Sequence, residues 1–234
     1  MNYLQCVKKI KCLVCLVCLS LLVLSLYGCL FRNPNREALT YMEKKYGEKF
    51  SYIGPHGSTN GSKTASILVS CESFPGREIL VTYTRLDGGG FEFHDNYMSY
   101  FYEADTRSLL KDIATQIYGE CKVFYWTAQF ALPDSINSSS SLEDYIAADA
   151  SPIFVTFVLN PNVSIEARDE DANRLCALLT NSKLNVAALI YYASKNSYVL
   201  INQDNIHKYE NESDWYLSFG TFYVDNGLQE LIWR

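Results

Sequence analysis

The stretch EILVTYTRLDGGGFEFHDNY, residues 78–97, holds two strand signals and the turn that joins them. Apolar and polar side chains alternate in its first half, as in a β-strand with one buried face. The DGGG segment at 87–90 favours a chain reversal, and FEFHDNY at 91–97 predicts the returning strand. An earlier strand signal, ASILVSC at 65–71, leads into the Pro-Gly turn of SFPG. Together these three strands predict a β-meander.

Helix signals lie on both sides of the meander. Residues 33–47 predict a helix, with Asn33 as its N-cap and Gly47 just past its C-terminal end. Apolar residues recur at steps of three and four in the segments 95–119 and 164–182, which predicts two more helices.

The second half of the chain adds further strand signals. The run PDSINSSSS at 133–141 predicts a long surface loop, or alternatively a boundary between two domains. The fold class expected is α+β, with a mostly antiparallel sheet and helices packed on one face, in a single domain over residues 34–234. The segment 226–234 fits a short helix or a strand. The other strands are predicted within 121–132, 151–160, 185–193, 197–202 and 214–225.

The charge balance excludes one class of partner. The chain has 234 residues and a formal net charge of −6. The only charged residues before Cys29 are Lys8, Lys9 and Lys11. The rest of the chain therefore has 17 basic and 26 acidic residues, which gives a net charge of −9. A domain this acidic has no electrostatic footprint for nucleic acid.

The first 28 residues have the parts of an export signal. Residues 1–11 are basic, and residues 12–27 are uncharged and rich in Leu, Val and Cys. This order is typical of a signal peptide. The apolar run is short for a membrane span, which needs about 20 residues. An uncleaved single-span signal anchor and an ordinary signal peptide stay open as alternatives.

The end of this segment, Leu26-Tyr27-Gly28-Cys29, resembles the lipobox of bacterial lipoproteins. Tyr27 departs from the pattern, which has a small or β-branched residue at that place. The resemblance implies lipid on the Cys29 sulfur and cleavage before it, so that residues 29–33 form a short lipidated tether. It also implies that the protein is located on the outer face of the cell membrane and is attached to the lipid bilayer through Cys29.

A second resemblance covers part of the downstream chain. The block YMEKKYGEKF at 41–50 and the FEFHDNY neighbourhood are similar to a group of uncharacterised small lipoproteins of low-GC Gram-positive bacteria. This resemblance implies no activity.

The cysteines do not predict a metal centre. Cys12, Cys15 and Cys18 have a C-x-x-C-x-x-C spacing, but they lie among Leu and Val with no His nearby, where Cys acts as a small hydrophobe. Downstream, each remaining cysteine lies in an apolar segment, which predicts buried free thiols. A Cys71–Cys121 disulfide stays open for an exported protein. The third downstream cysteine is Cys176.

The strand-to-helix junction at His94 offers the alternative to a binding role. Such a junction can present a catalytic site, and a cell-surface hydrolase would use His94 with Asp95 or Glu103. However, adjacent residues of a strand point to opposite faces, and Asp95 is also explained as a helix cap. We assign no catalytic residue, no cofactor and no metal site. His56 and His207 are interpreted as solvated loop residues.

Aromatic residues are dense near the C-terminus, which fits core packing and an ordinary Tyr-rich sheet surface or, alternatively, a groove for a peptide, sugar or protein ligand. Alternation along the last long strand places Trp215, Leu217 and Phe219 on one face and Tyr216 and Phe222 on the other. One set must form core, and the other is free to bind. Because the sequence has an export signal, a lipobox-like end and no convergent set of catalytic residues, the expected function is binding or scaffolding rather than catalysis. The full candidate set is Tyr191, Tyr192, Trp215, Tyr216, Phe219, Phe222 and Tyr223.

Overall fold

The structure, a computed structural model, describes residues 33–57, 62–127, 130–148, 153–210, 212–225 and 228–234. The predicted signal segment and Cys29 lie outside these ranges. The predicted α+β class is confirmed, with the strands divided between two sheets of four and five strands.

The first sheet is an antiparallel meander in the order β1-β2-β3-β4. The stretch at 78–97 supplies β3 and β4, paired from Val81 opposite Asp95 to Arg85 opposite Phe91. Two helices, α1 and α2, pack their apolar side chains against this sheet. The elements are α1 Pro34–Tyr46, β1 Phe50–Pro55, β2 Thr64–Cys71, β3 Ile79–Arg85, β4 Phe91–Asp95 and α2 Tyr97–Phe101.

The second sheet has the order β5-β6-β7-β8-β9, in which only the β6–β7 pair is parallel. Helices α3 and α5 cover one of its faces, which we call the inner face. Two short helices, α6 and α7, cover part of the outer face. The elements are α3 Glu103–Tyr118, β5 Cys121–Trp126, α4 Leu142–Ala147, β6 Ile153–Leu159, α5 Arg168–Asn181, β7 Val186–Ala193, α6 Lys195–Leu200, α7 Ile206–Tyr209, β8 Tyr216–Asp225 and β9 Leu228–Trp233.

The predicted ends of α1 are confirmed. The Asn33 side chain accepts hydrogen bonds from the backbone N–H groups of Asn35 and Arg36, at 3.0 and 3.4 Å. Gly47 has a φ of +74°, in the left-handed region that only glycine enters without strain, and it closes the helix with a bond to the Glu43 carbonyl.

Two predictions need correction. The single helix expected over 95–119 is interrupted at Tyr102, between α2 and α3. The segment expected to be a strand at 197–202 instead contains most of the helix α6. Tyr198 and Ile201, the residue that follows the helix, both pack on the sheet, and their spacing of three residues suits one face of a helix. The last segment, left open as helix or strand, forms the edge strand β9.

The two halves meet through aromatic side chains. Tyr145, on α4, stacks against Tyr102 with ring centroids 5.3 Å apart. Its hydroxyl also lies 3.1 Å from the hydroxyl of Tyr125, a core residue of the second sheet. The predicted loop at 133–141 leads into α4 and so returns the chain to this junction.

The three downstream cysteines are free thiols. Cys121 and Cys176 are buried, as predicted, whereas Cys71 is half-buried. Burial raises the pKa of the Cys176 thiol to about 11, so it is protonated and unreactive at neutral pH. Within the described ranges, no helix is long and apolar enough to cross a membrane.

Gly220 of β8 allows the closest approach in the second sheet. A Cβ atom at this position would lie 2.5 Å from Cε3 of Trp233 and 3.2 Å from Cγ2 of Ile190. The Trp233 ring therefore packs directly on the backbone, and its Nε1 donates to Asp169 at 2.6 Å.

We expect Gly220→Ala to lower the free energy of unfolding by about 1–3 kcal/mol, because the added methyl group displaces the Trp233 ring. Urea denaturation followed by tryptophan fluorescence measures this change. Gly54→Ala is the matched control, since a Cβ there meets nothing within 4 Å. Equal stability of the two variants would contradict the packing role of Gly220.

Candidate ligand-binding site

The structure does not gather His94, Asp95 and Glu103 into one site. His94 and Asp95 leave β4 on opposite faces, as alternation requires. The His94 side chain is half-buried, with Nε2 3.5 Å from the Glu92 carboxylate. Among the described residues, no hydrogen bond joins His94 to Asp95 or Glu103.

Asp95 is a fully buried carboxylate with a structural set of partners. Its Oδ1 accepts from the Tyr46 hydroxyl at 2.7 Å and from the Tyr97 backbone N–H at 3.0 Å. Its Oδ2 accepts from Lys45 Nζ at 3.0 Å and from the Tyr41 hydroxyl at 3.2 Å. Lys45, Tyr46 and the Tyr97 backbone N–H therefore satisfy it, while the single Tyr41 hydroxyl proton also lies 2.5 Å from Asp134 Oδ1. The bond from Tyr97 ties Asp95 to the first backbone N–H of α2.

This cluster also keeps its tyrosines protonated. Burial raises the pKa of Tyr46 well above its usual range, and the negative charge of Asp95 raises it further. Tyr41 is affected in the same way by burial and by Asp95. Asp95 is thus held by hydrogen bonds inside the fold and is not presented to a substrate.

The open surface lies on the outer face of the second sheet. Helices α6 and α7, together with Trp215, cover one end of this face by packing on Phe124, Val158 and Tyr191. The other end is a groove of about 520 Å³, which we call the aromatic groove. Its lining includes Trp126, Phe130, Phe154, Ala187, Leu189, His207, Glu210, Thr221 and Tyr223.

The strand register explains where the groove lies. Residues that face each other across neighbouring strands point to the same side of a sheet. One such row crosses four strands: Trp126 pairs with Phe154, Phe154 with Ala187, and Ala187 with Tyr223. The small Ala187 side chain between two aromatic residues leaves a depression with ring-shaped walls.

Polar groups are concentrated at one side of the groove. Glu210 accepts a hydrogen bond from the buried Thr156 hydroxyl at 3.0 Å, and its other oxygen lies 3.1 Å from His207 Nδ1. The His207 ring packs against Trp126 with centroids 4.7 Å apart. Because the Thr156 hydroxyl is directed at the carboxylate rather than at the imidazole, this is not the arrangement of an activated nucleophile. It fixes the polar side of the groove.

Most of the predicted aromatic residues have other roles. Tyr223 lines the groove, whereas Tyr192 and Phe222 lie in the inner core. A register shift between Tyr192 and Ala193 disturbs the predicted alternation. Tyr216, which was predicted on the same face as Phe222, therefore lies with Phe219 on the outer side. The remaining members, Tyr191, Trp215, Tyr216 and Phe219, pack beneath α6 and α7.

Sequence reasoning missed the polar rim. His207 was expected to be a solvated loop residue, but it lies on α7 at the groove. Thr156 belongs to a strand predicted as buried, and its bond to Glu210 spans 54 positions of the chain. A contact between residues so far apart in the chain cannot be predicted from a local sequence pattern.

Comparison with known proteins adds little to this geometry. No protein-family model matches the chain, and no curated protein matches it. Among solved structures, the chain is similar to a DUF5037 family protein from Ruminococcus gnavus ATCC 29149, with a TM-score of 0.43 and 10% identity. The match covers 85% of this chain and 94% of that one.

We expect Asp95→Asn to lower the free energy of unfolding by about 3 kcal/mol, because it removes the buried counter-charge of Lys45 and leaves only the exposed carboxylate of Asp134 beside it. Asp134→Asn is the matched control. Asp134 also contacts Lys45, but its side chain is 60% exposed, so its loss should cost no more than about 1 kcal/mol. Chemical denaturation of both variants measures the difference. A smaller effect for Asp95→Asn than for Asp134→Asn would contradict the assignment.

Proposed function

We propose that this protein is an exported, lipid-tethered binding protein whose aromatic groove holds a small ligand with an apolar or aromatic body. The observation that carries the proposal is the groove itself, an open cavity of about 520 Å³ with aromatic walls on a sheet face that is covered elsewhere. This volume lies within the usual range of ligand sites, about 300–1,000 Å³.

The exposure of the walls supports binding over a purely structural role. Phe154 and Tyr223 are 42% and 54% exposed, and Phe130, across the groove, is 47% exposed. Scattered apolar residues on a surface need no explanation, but three aromatic rings around one depression form a patch of the kind that marks a binding site.

The lining favours an apolar group over a sugar. Sugars are held by many polar contacts, whereas here the floor is Ala187 and Leu189 and the walls are rings. The Glu210 carboxylate at the rim already accepts from Thr156. An aromatic or aliphatic group between Phe154 and Tyr223 would bury apolar surface and stack on the rings.

The anchor rests on the sequence of the first 29 residues. In the proposed mature form, only Leu30, Phe31 and Arg32 separate lipidated Cys29 from Asn33, the cap of α1. Three extended residues span roughly 10 Å, so the domain lies close to the bilayer. In the alternative, an uncleaved signal anchor, the same domain remains outside the membrane on an intact N-terminal segment.

We expect Ala187→Phe to weaken binding of the neutral fluorescent probe N-phenyl-1-naphthylamine by more than about tenfold, because the new ring occupies the groove. Val199→Phe is the matched control, since it adds the same ring on α6, outside the groove, where Val199 is 76% exposed. Fluorescence titration measures both variants, and circular dichroism checks their folding. Tyr223→Ser removes one wall and should also weaken binding. Probe affinity unchanged in Ala187→Phe would contradict the groove as the binding site.

We expect metabolic labelling with a radioactive fatty acid to mark the wild-type protein and not Cys29→Ser, because the lipid is attached to that sulfur. Cys18→Ser is the control, since the proposed signal containing Cys18 is removed and labelling should persist. Undiminished label in Cys29→Ser would overturn the lipoprotein proposal. An unlabelled wild-type protein that keeps residues 1–28, read by mass spectrometry, would establish the signal anchor instead.

A further inference from the structure

A second cavity adjoins the aromatic groove. It has a volume of about 420 Å³ and shares the lining residues Trp126 and Thr127 with the groove. Its lining is mainly polar and includes two arginines, Arg77 and Arg107. We call this cavity the arginine recess.

The two arginines share one carboxylate. Glu103 accepts from Arg107 at 2.7 Å and from Arg77 at 3.1 and 3.2 Å, and its Oε2 also accepts from the Thr127 hydroxyl at 3.0 Å. Two positive charges therefore meet one carboxylate, whose side chain is 16% exposed. Asp204, at the edge of the recess, is exposed, and solvent screens its charge.

The guanidinium groups keep unused donors. A guanidinium has five N–H donors, and Arg77 and Arg107 each bond to Glu103 through a single nitrogen, Nη2. Arg107 Nε is buried and has no hydrogen-bond partner among the described residues. Such a donor is costly to leave unpaired. Arg77 is also kept in place by the Tyr100 ring, 5.7 Å from its guanidinium carbon.

We infer that the arginine recess binds a carboxylate carried by the ligand whose apolar body lies in the aromatic groove. The inference rests on the proposed function of the groove and names the chemical class of its ligand, an apolar or aromatic acid. A carboxylate matches the fork of a guanidinium, and the two cavities adjoin at the shared lining residues Trp126 and Thr127. Two sources share this chemistry: the C-terminal end of an apolar peptide and a free organic acid.

Two fluorescent probes with related ring systems separate the groove from the recess. N-phenyl-1-naphthylamine is neutral, whereas 8-anilinonaphthalene-1-sulfonate carries an anionic group. We expect the wild-type protein to bind the anionic probe more tightly than the neutral one. Arg77→Gln should lower the affinity for the anionic probe by about tenfold, the effect of one lost charge-assisted hydrogen bond. Binding of the neutral probe should not change.

Glu103→Gln is expected to change the affinity for the anionic probe in the opposite direction. It removes the carboxylate that occupies both arginines and so leaves more positive charge in the recess. We expect tighter binding of the anionic probe and unchanged binding of the neutral one. A merely structural role of the cluster would weaken both probes together. Arg77 is the better residue to replace because its side chain is 53% exposed, so the fold should tolerate the change.

The outcomes distinguish this inference from the proposed function. If the neutral probe binds and the anionic probe responds to neither Arg77→Gln nor Glu103→Gln, the recess inference is overturned and the groove stands. If the neutral probe does not bind the wild-type protein, the groove proposal itself fails.

A final comparison identifies the source of the carboxylate. Calorimetry with N-acetyl-Ala-Phe as free acid and as amide tests a peptide C-terminus, and decanoate against decanol tests a free acid. We expect the acid of at least one pair to bind more than about tenfold more tightly than its neutral partner, and Arg77→Gln to remove that difference. If neither acid is preferred, the inference is overturned.

Discussion

The buried carboxylate of Asp95 is the contact on which the first half of the fold depends. A charge inside a protein is tolerated only when it is paired and hydrogen-bonded. Asp95 meets this condition with side chains of α1 and the first backbone N–H of α2, while its carbonyl accepts from Leu132 at 2.7 Å. One residue thus fixes a helix, the end of the meander, the start of the next helix and the returning chain at 132. Its burial follows from this structural role.

The second sheet has two apolar faces, and only one of them is covered by a full layer of helices. Residues at alternate positions of β6 and β7 form the inner core with α3 and α5. The outer face also carries many apolar residues, but α6 and α7 are too short to cover all of them. Where they end, the row from Trp126 to Tyr223 is left open, and Ala187 turns that row into a depression. The groove is the part of an apolar face that the fold does not cover.

The parts of this fold that the sequence predicts are the local ones. The cap at Asn33, the end at Gly47 and the meander of 65–97 depend on residues close together in the chain, and each is confirmed. The segment 197–202 was predicted as a strand because a short apolar run does not distinguish a strand from a helix. The division into two sheets, and the contacts of Glu210 and Glu103, depend on pairings that are distant in the chain. Such pairings carry no local signal, so His94 stood out in the sequence and His207 did not.

The end of β5 connects these arguments, because it belongs to both cavities at once. Alternation turns Trp126 to the outer face, where it packs against His207, and leaves Tyr125 on the inner side, where it meets Tyr145. Thr127 then reaches Glu103 at the start of α3. The aromatic groove therefore lies in the second half of the fold, whereas the arginine recess needs Arg77, from the turn between β2 and β3 of the first sheet. A ligand held in both would contact the two halves of the fold together, and its binding energy would stabilise their junction.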